Sequence, residues 1–267
     1  ASVSCIYNLG SPEDYQESLV YLSRGETIDR DEVLLKLINI QYERNDHEFT
    51  RGTFRVRGDT VEVYPSYEDI GIRVGYFGDE VDELVTFDPL TGKELRRHDR
   101  MSVFPKSHFV TPRSKTLQAV ESIKVELKER LADLDGAGRV LESQRLHQRT
   151  MFDLEMMREI GYCHGIENYS RHLSGRAAGE PPPTLLDYLP EDALLIVDES
   201  HQTVPQVRGM YHGDRARKET LVEYGFRLPS ALDNRPLSFE EWEARRRQVV
   251  YVSATPSAYE LHHAGGV

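Results

Sequence analysis

Two unbroken apolar runs late in the chain interrupt an otherwise mixed pattern. Ala193-Leu194-Leu195-Ile196-Val197 is rich in branched side chains and stops abruptly at Asp198-Glu199-Ser200-His201. Such a run predicts a strand buried on both faces, as in a parallel sheet covered by helices. Further on, Gln248-Val249-Val250-Tyr251-Val252 predicts a second short strand, closing on Ser253-Ala254-Thr255-Pro256. Residues 1–7 predict another strand entering the same sheet. They are followed by a turn in which Ser11 caps a short helix opened by Pro12.

The periodicity changes near Leu19. Val33, Leu34, Leu37, Ile38 and Tyr42 mark the apolar side of a helix, with a capping signal between Asp29 and Asp31. Alternating runs follow on either side of Gly58-Asp59 and again of Gly78-Asp79, the mark of tight hairpins. Residues 19–111 therefore predict a helix on a small antiparallel sheet, set into the parallel architecture. On the run from Thr53 to Arg57, Phe54 and Val56 face one way, and Thr53, Arg55 and Arg57 the other. With Arg44 just upstream, that polar face reads either as an ordinary solvated surface or as an arginine-bearing docking site.

Beyond Pro112, Leu117, Val120, Ile123, Leu127, Leu131 and Leu134 recur at helical spacing up to Asp135-Gly136-Ala137-Gly138. A second helix over 139–160 completes an antiparallel hairpin with a mixed-charge solvated face. Residues 175–183 predict a Gly/Pro-rich linker back to the sheet. His212-Gly213-Asp214 predicts a helix cap. Residues 226–237 predict a proline-punctuated loop, and Ser238 with Glu241 a capping box.

Composition narrows the function. With 39% hydrophobic and 29% charged residues, the 267-residue chain can bury a sizeable core. Two cysteines are too few for a disulfide framework, which favours a reducing, cytoplasmic setting. No apolar run approaches the roughly 20 residues that span a bilayer, so no membrane partner is expected. A net charge of −12 lacks the basic footprint of a DNA binder, so weak duplex binding at physiological salt is expected of this chain.

The candidate chemistry sits where the apolar runs end. In open α/β sheets, ligands bind beyond the carboxyl ends of the strands, so Asp198 and Glu199 would border that crevice. One acid can serve Mg²⁺ and the other can orient water at a nucleotide; alternatively the pair is a solvated turn. A strand ending in Asp-Glu-Ser-His and a later one ending in Ser-Ala-Thr resemble, in that order, the second and third motifs of superfamily-two helicases.

The sequence also resembles the UvrB family of bacterial nucleotide excision repair along its whole length. The resemblance is carried by the opening Ala-Ser-Val-Ser-Cys-Ile-Tyr, Phe54-Arg55-Val56-Arg57-Gly58-Asp59, Gly165-Ile166-Glu167-Asn168-Tyr169, Gly209-Met210-Tyr211, the 227–237 loop, and both motif segments. It implies an α/β fold: an incomplete P-loop NTPase sheet of the RecA-like, superfamily-two helicase type, with an antiparallel α+β insertion and a helical insertion. Residues 1–18 and 184–267 would be parts of the first motor domain, 19–111 the UvrA-interaction domain, and 112–183 a helical DNA-clamp insertion. By the family pattern Asp198 serves Mg²⁺, Glu199 activates water, and Ser253 with Thr255 couples nucleotide state to movement. Arg44, Arg55 and Arg57 match arginines that contact UvrA. ATP and Mg²⁺ are the implied cofactors, and UvrA, the UvrC nuclease subunit and damaged DNA the implied partners. The alternative is a non-catalytic adaptor that only docks a repair or transcription partner.

There are two departures from the pattern. No Gly-x-x-x-x-Gly-Lys-Ser/Thr loop occurs in the sequence, and Asn8 stands where the family has glycine. The chain is thus expected to be an internal piece holding half an ATP site and a whole partner-binding module. Arg55 and Arg57 are both expected to point away from the core.

Overall fold

A computed structural model describes residues 1–107 and 110–265. The expected segments 19–111 and 184–267 therefore include positions outside the described residues. The chain forms two compact units, Glu13–Arg113 and Ala1–Pro12 with Ser114–Val267.

Helix α1 (Pro12–Glu17) starts at the proline, whose fixed φ suits a first helical position. The smaller unit continues with β1 (Val20–Ser23) and α2 (Arg30–Asn39). Asp29 caps α2 by accepting the Asp31 backbone N–H at 2.7 Å. Next come β2 (Glu43–Arg44), β3 (Thr53–Arg57), β4 (Thr60–Tyr64), β5 (Gly71–Phe77), β6 (Glu80–Phe87), β7 (Glu94–Arg97) and β8 (Arg100–Val103). Strands β2 to β7 form one sheet in sequence order, while β1 pairs antiparallel with β8. The hairpins at Gly58 and Gly78 lie where the alternation puts them, with Arg57 opposite Thr60 and Phe77 opposite Glu80.

Val33 and Leu37 of α2 pack with Phe54, Val61, Val63, Ile72, Val74 and Leu84 in one core. Two helix positions depart from the periodicity. Ile38 is exposed, and Tyr42 lies beyond the helix. The backbone turns left-handed at Gln41 (φ 71°) and carries Tyr42 back into the core, where its hydroxyl donates to the Phe104 carbonyl at 3.1 Å. Strand β7 is exposed at every position and mostly charged, so no alternation announces it, whereas β8 is exposed only at Arg100 and buries Val103.

The larger unit opens on a 3₁₀ turn over Val3–Ile6 instead of the expected strand. The Ser2 hydroxyl accepts the Ser4 N–H, a local bond that competes with sheet pairing. Ile6 is fully buried and its carbonyl accepts the Leu237 N–H at 2.9 Å. Asn8 does not take a left-handed conformation; Gly10 does (φ 90°), and the Asn8 side chain accepts the Gly10 N–H at 3.1 Å. Helices α3 (Arg113–Gly136) and α4 (Val140–Glu159) run antiparallel. Arg158 near the end of α4 reaches Glu121 near the start of α3 at 2.8 Å. Val120, Ile123, Leu127 and Leu134 are buried as expected, whereas Leu117 is not. Helix α5 (Ser170–Ser174) precedes the linker.

Strand β9 (Leu194–Val197), α6 (Ser200–Glu223), α7 (Phe239–Arg245), β10 (Gln248–Tyr251) and α8 (Ala258–His263) complete the unit. β9 and β10 pair parallel, Leu194 opposite Gln248 and Val197 opposite Tyr251. Among the described residues this sheet has two strands, and β9 is not buried on both faces. Leu195, Val197, Val249 and Tyr251 pack toward Ile6, Val204, Leu237 and Trp242. The alternate side chains Leu194, Ile196 and Val250 are exposed, because side chains two apart share a face and the cluster covers only one.

The expected cap at His212-Gly213-Asp214 is instead the interior of α6, which also runs through Pro205. Asp214, a good cap residue by type, has its buried carboxylate paired within the helix, to Lys218 at 2.8 Å and Arg217 at 3.3 Å. The capping box at Ser238 and Glu241 forms as read.

After α6 the chain turns at Gly225 (φ 69°), tight against the start of α4. A Cβ there would lie 2.4 Å from the Glu142 carbonyl oxygen, a backbone atom that cannot swing away. Gly225→Ala combines a left-handed penalty with overpacking and should cost roughly 2–4 kcal/mol. Denaturant titration of the variant checks this; an unchanged midpoint contradicts the contact.

Candidate nucleotide and partner sites

The parallel pairing of β9 and β10 brings the two motif segments side by side. Val252 N–H donates to the Val197 carbonyl at 2.9 Å, and Ser200 N–H donates to the Val252 carbonyl at 3.0 Å. Asp198 and Glu199 therefore lie next to Ser253 and Thr255 at the carboxyl ends of the two strands. Glu199 is the turning point, with φ 45° and ψ 47°, a left-handed conformation in a residue that is not glycine. That costs of order 1–3 kcal/mol and persists only where the surroundings over-determine it.

Both carboxylates stay available. Among the described residues neither pairs with lysine or arginine: Asp198 accepts its neighbour's N–H at 3.0 Å, and Glu199 lies 3.5 Å from His201. The Thr203 hydroxyl donates to the Asp198 carbonyl at 2.8 Å, leaving the carboxylate out of that bond. Two exposed acids with unused oxygen lone pairs fit a hard cation and an oriented water.

The bridge between the motifs is a residue to which the sequence assigned no role. His201 Nδ1 lies 2.8 Å from Ser253 Oγ, and Ser253 Oγ also accepts the Thr255 N–H at 3.1 Å. His201 Nδ1 thus faces both Ser253 Oγ and, farther off at 3.5 Å, the Glu199 carboxylate. Its place three residues after Asp198 was visible, but its contact depends on a strand fifty positions later in the register of β9 and β10. A second unannounced residue is Glu260. Desolvation works to raise its carboxyl, but hydrogen bonds from Ser257, Ser200 and the backbone outweigh that and hold it below the usual range.

In the smaller unit the three arginines separate. Arg57 is exposed, with no side-chain partner among the described residues. Arg44, also exposed, pairs with Asp46 at 2.9 Å. Arg55 is different: its guanidinium bonds Glu62 at 2.6 Å and lies over the Phe49 ring at 4.3 Å. Glu62 is only 6% exposed and is held from the other side by Arg73 at 2.8 Å, itself over Phe87. At Arg55 this rules out the ordinary solvated surface, one of the two readings that the strand pattern left open. Arg55 does sit on the face opposite the main core, but aromatic rings and a buried carboxylate occupy that face too.

Residues 20–109 match the UvrB interaction domain, and residues 114–175 match the UvrB third helical domain. The UvrABC system protein B of Pseudomonas syringae pv. syringae is 60% identical over 267 residues, all of this chain. That of Carboxydothermus hydrogenoformans is 58% identical over 265 residues, 99% of the chain. The chain belongs to the UvrB family. It spans 40% of the length of these two relatives. The matched interaction domain of this UvrB-family chain includes Arg44, Arg55 and Arg57, whereas Asp198, Glu199, Ser253 and Thr255 lie outside both matched regions. Among the described residues no helix is long and apolar enough to cross a membrane.

The arginine geometry gives an ordering. Arg55→Glu would set a second carboxylate against buried Glu62 and should destabilise the smaller unit by about 3 kcal/mol. Arg57→Glu should shift stability by less than about 0.5 kcal/mol. Denaturant melts of the two variants check this, and equal effects would contradict the burial of the Glu62 cluster.

Proposed function

We propose that this chain is the part of a nucleotide-excision-repair ATPase that carries half of its nucleotide site and its docking surface for UvrA. The observation that carries the reading is the Glu199–His201–Ser253 bridge, which joins an acid pair to a hydroxyl cluster at the ends of two parallel strands. Acids beside hydroxyl groups at the carboxyl ends of parallel strands suit a nucleotide site, where they can serve Mg²⁺ and orient water. In this reading residues 1–18 and 184–267 belong to a RecA-like motor domain, 19–111 dock UvrA, and 112–183 form a helical clamp on DNA. Asp198 holds Mg²⁺, Glu199 orients the attacking water, and Ser253 with Thr255, through His201, relays the occupancy of the site. The whole protein would verify damaged DNA in the cytoplasm using ATP, then recruit the UvrC nuclease subunit.

Phosphate binding has to come from elsewhere, because the sequence contains no Walker-type loop. The chain alone should therefore neither turn over ATP nor bind it tightly. The full-length protein should hydrolyse ATP and lose at least about a hundredfold in rate on Glu199→Gln. Steady-state hydrolysis assays check both. DNA-stimulated turnover by the chain alone, or an active Glu199→Gln full-length protein, would overturn the assignment.

Docking is separable from hydrolysis. Arg44 and Arg57 are the exposed pair, so Arg44→Glu with Arg57→Glu should weaken UvrA binding without unfolding the unit. Loss of a contact to a buried acid of the partner costs roughly 2–5 kcal/mol, and a rim contact much less. Calorimetric titration with UvrA, with circular dichroism as the folding control, reads this. Unchanged affinity would leave these arginines as solvated surface and favour docking through another face.

A further inference from the structure

The candidate nucleotide site contains one buried charge that neither the acid pair nor the hydroxyl cluster accounts for. Glu260, in the first turn of α8, is 3% exposed. One carboxylate oxygen closes the capping box of its own helix, accepting the Ser257 N–H at 3.0 Å and the Ser257 hydroxyl. The box needs no more than that. The other oxygen accepts the Ser200 hydroxyl at 2.8 Å, from a side chain that is itself fully buried. Ser200 is the residue immediately after Glu199.

We propose that Glu260 is a positioning residue for the acid pair, fixing Ser200 to the turn that follows the hydroxyl cluster and so holding the strained Glu199 backbone and the His201 ring in place. Ser200 is gripped twice, through its N–H by the Val252 carbonyl and through its hydroxyl by Glu260. With Ser200 pinned on both groups, Glu199 on one side keeps its left-handed turn. His201 on the other side keeps its ring on Ser253. A carboxylate suits the task because it only accepts, and all three groups facing it donate. Glutamine offers one acceptor for Ser257 and an amide that reaches Ser200 with the donor direction reversed, so it retains part of the link. Alanine retains none. Ser200→Ala removes the link and leaves the capping box whole. The catalytic consequence rests on the nucleotide reading above; the structural link does not.

The test uses hydrogen exchange and ring-¹⁵N histidine spectra on this chain, and ATPase kinetics on the full-length protein. Glu260→Ala and Ser200→Ala should each speed exchange at the Ser200 and Val252 amides by at least about tenfold. Each should also shift the His201 ring signals, with Glu260→Gln intermediate and the Val74 amide unchanged. In the full-length protein the same variants should lower kcat with KM for ATP held, and Glu260→Gln should restore part of it. Should Glu260→Ala unfold the larger unit, Ser200→Ala decides, since its capping box survives. Unchanged exchange and unchanged His201 signals would sink the link. Shifted signals with an unaltered kcat would sink the positioning role. If the unsubstituted full-length protein has no ATPase while the signals shift, the nucleotide reading fails and the link stands.

Discussion

The larger unit depends on a buried arginine. Arg235 is 6% exposed, and its guanidinium makes a two-pronged contact with Glu241, at 2.6 and 2.8 Å, and donates to the Gly179 carbonyl at 3.0 Å. Desolvation works against its charge, but the Glu241 carboxylate outweighs that and holds its pKa above the ordinary value. Around it the 226–237 loop collects polar ties from α3, α5, α6 and the linker. Ser230 N–H donates to Glu126 of α3, Asp233 takes Arg171 of α5 and the Gly179 N–H, and Lys218 of α6 donates to the Asn234 carbonyl. Ion pairs this deep add little net stability over apolar packing, yet removing one partner is costly. Their effect is to fix which elements meet. The same proline-punctuated loop sends Leu237 into the core, where its N–H reaches the Ile6 carbonyl.

Through α6 that hub reaches the candidate nucleotide site. The helix is held near its far end by Lys218, which pairs with Asp214 and reaches into the loop, and it begins beside Glu199. An internal proline and two glycines do not break it, because buried pairs within the helix and packing of Val204 and Val207 outweigh their low propensity. The acid pair therefore sits at one end of a rod whose other end is anchored in the polar loop. A site built on a strand end and a helix start is more precisely held than one on a free loop. The left-handed Glu199 is the kind of local strain that such support makes tolerable.

The smaller unit solves a different problem. Its helix covers one sheet face, and the other face, which would otherwise be a plain polar surface, carries Glu62 between Arg55 and Arg73 with Phe49 and Phe87 stacked 6.0 Å apart. The close approach of Phe87 to Gly71, where a Cβ would fall 2.6 Å from the ring, shows how tightly that second layer is packed. Arg55 is thus occupied within the fold, and of the three arginines only Arg57 and Arg44 are exposed.

The sequence by itself determined the local elements and the identity of the motifs. Alternation around Gly58 and Gly78 located the hairpins, the Ser238–Glu241 spacing the capping box, and helical periodicity the pair α3 and α4. These depend on near neighbours, whose chemistry is written side by side. Tertiary structure alone decided the rest. Residues 3–6 are a turn because serine hydroxyls bond locally, and α6 runs through an apparent cap because Asp214 finds partners one helical turn away. β9 is exposed on one face because its packing cluster lies on the other. Arg55 is committed to Glu62 by cross-strand register, and His201 and Glu260 join the site through residues more than fifty positions distant. A linear pattern states which side chains alternate; which of them meet depends on strand register and helix packing, and those are properties of the folded chain.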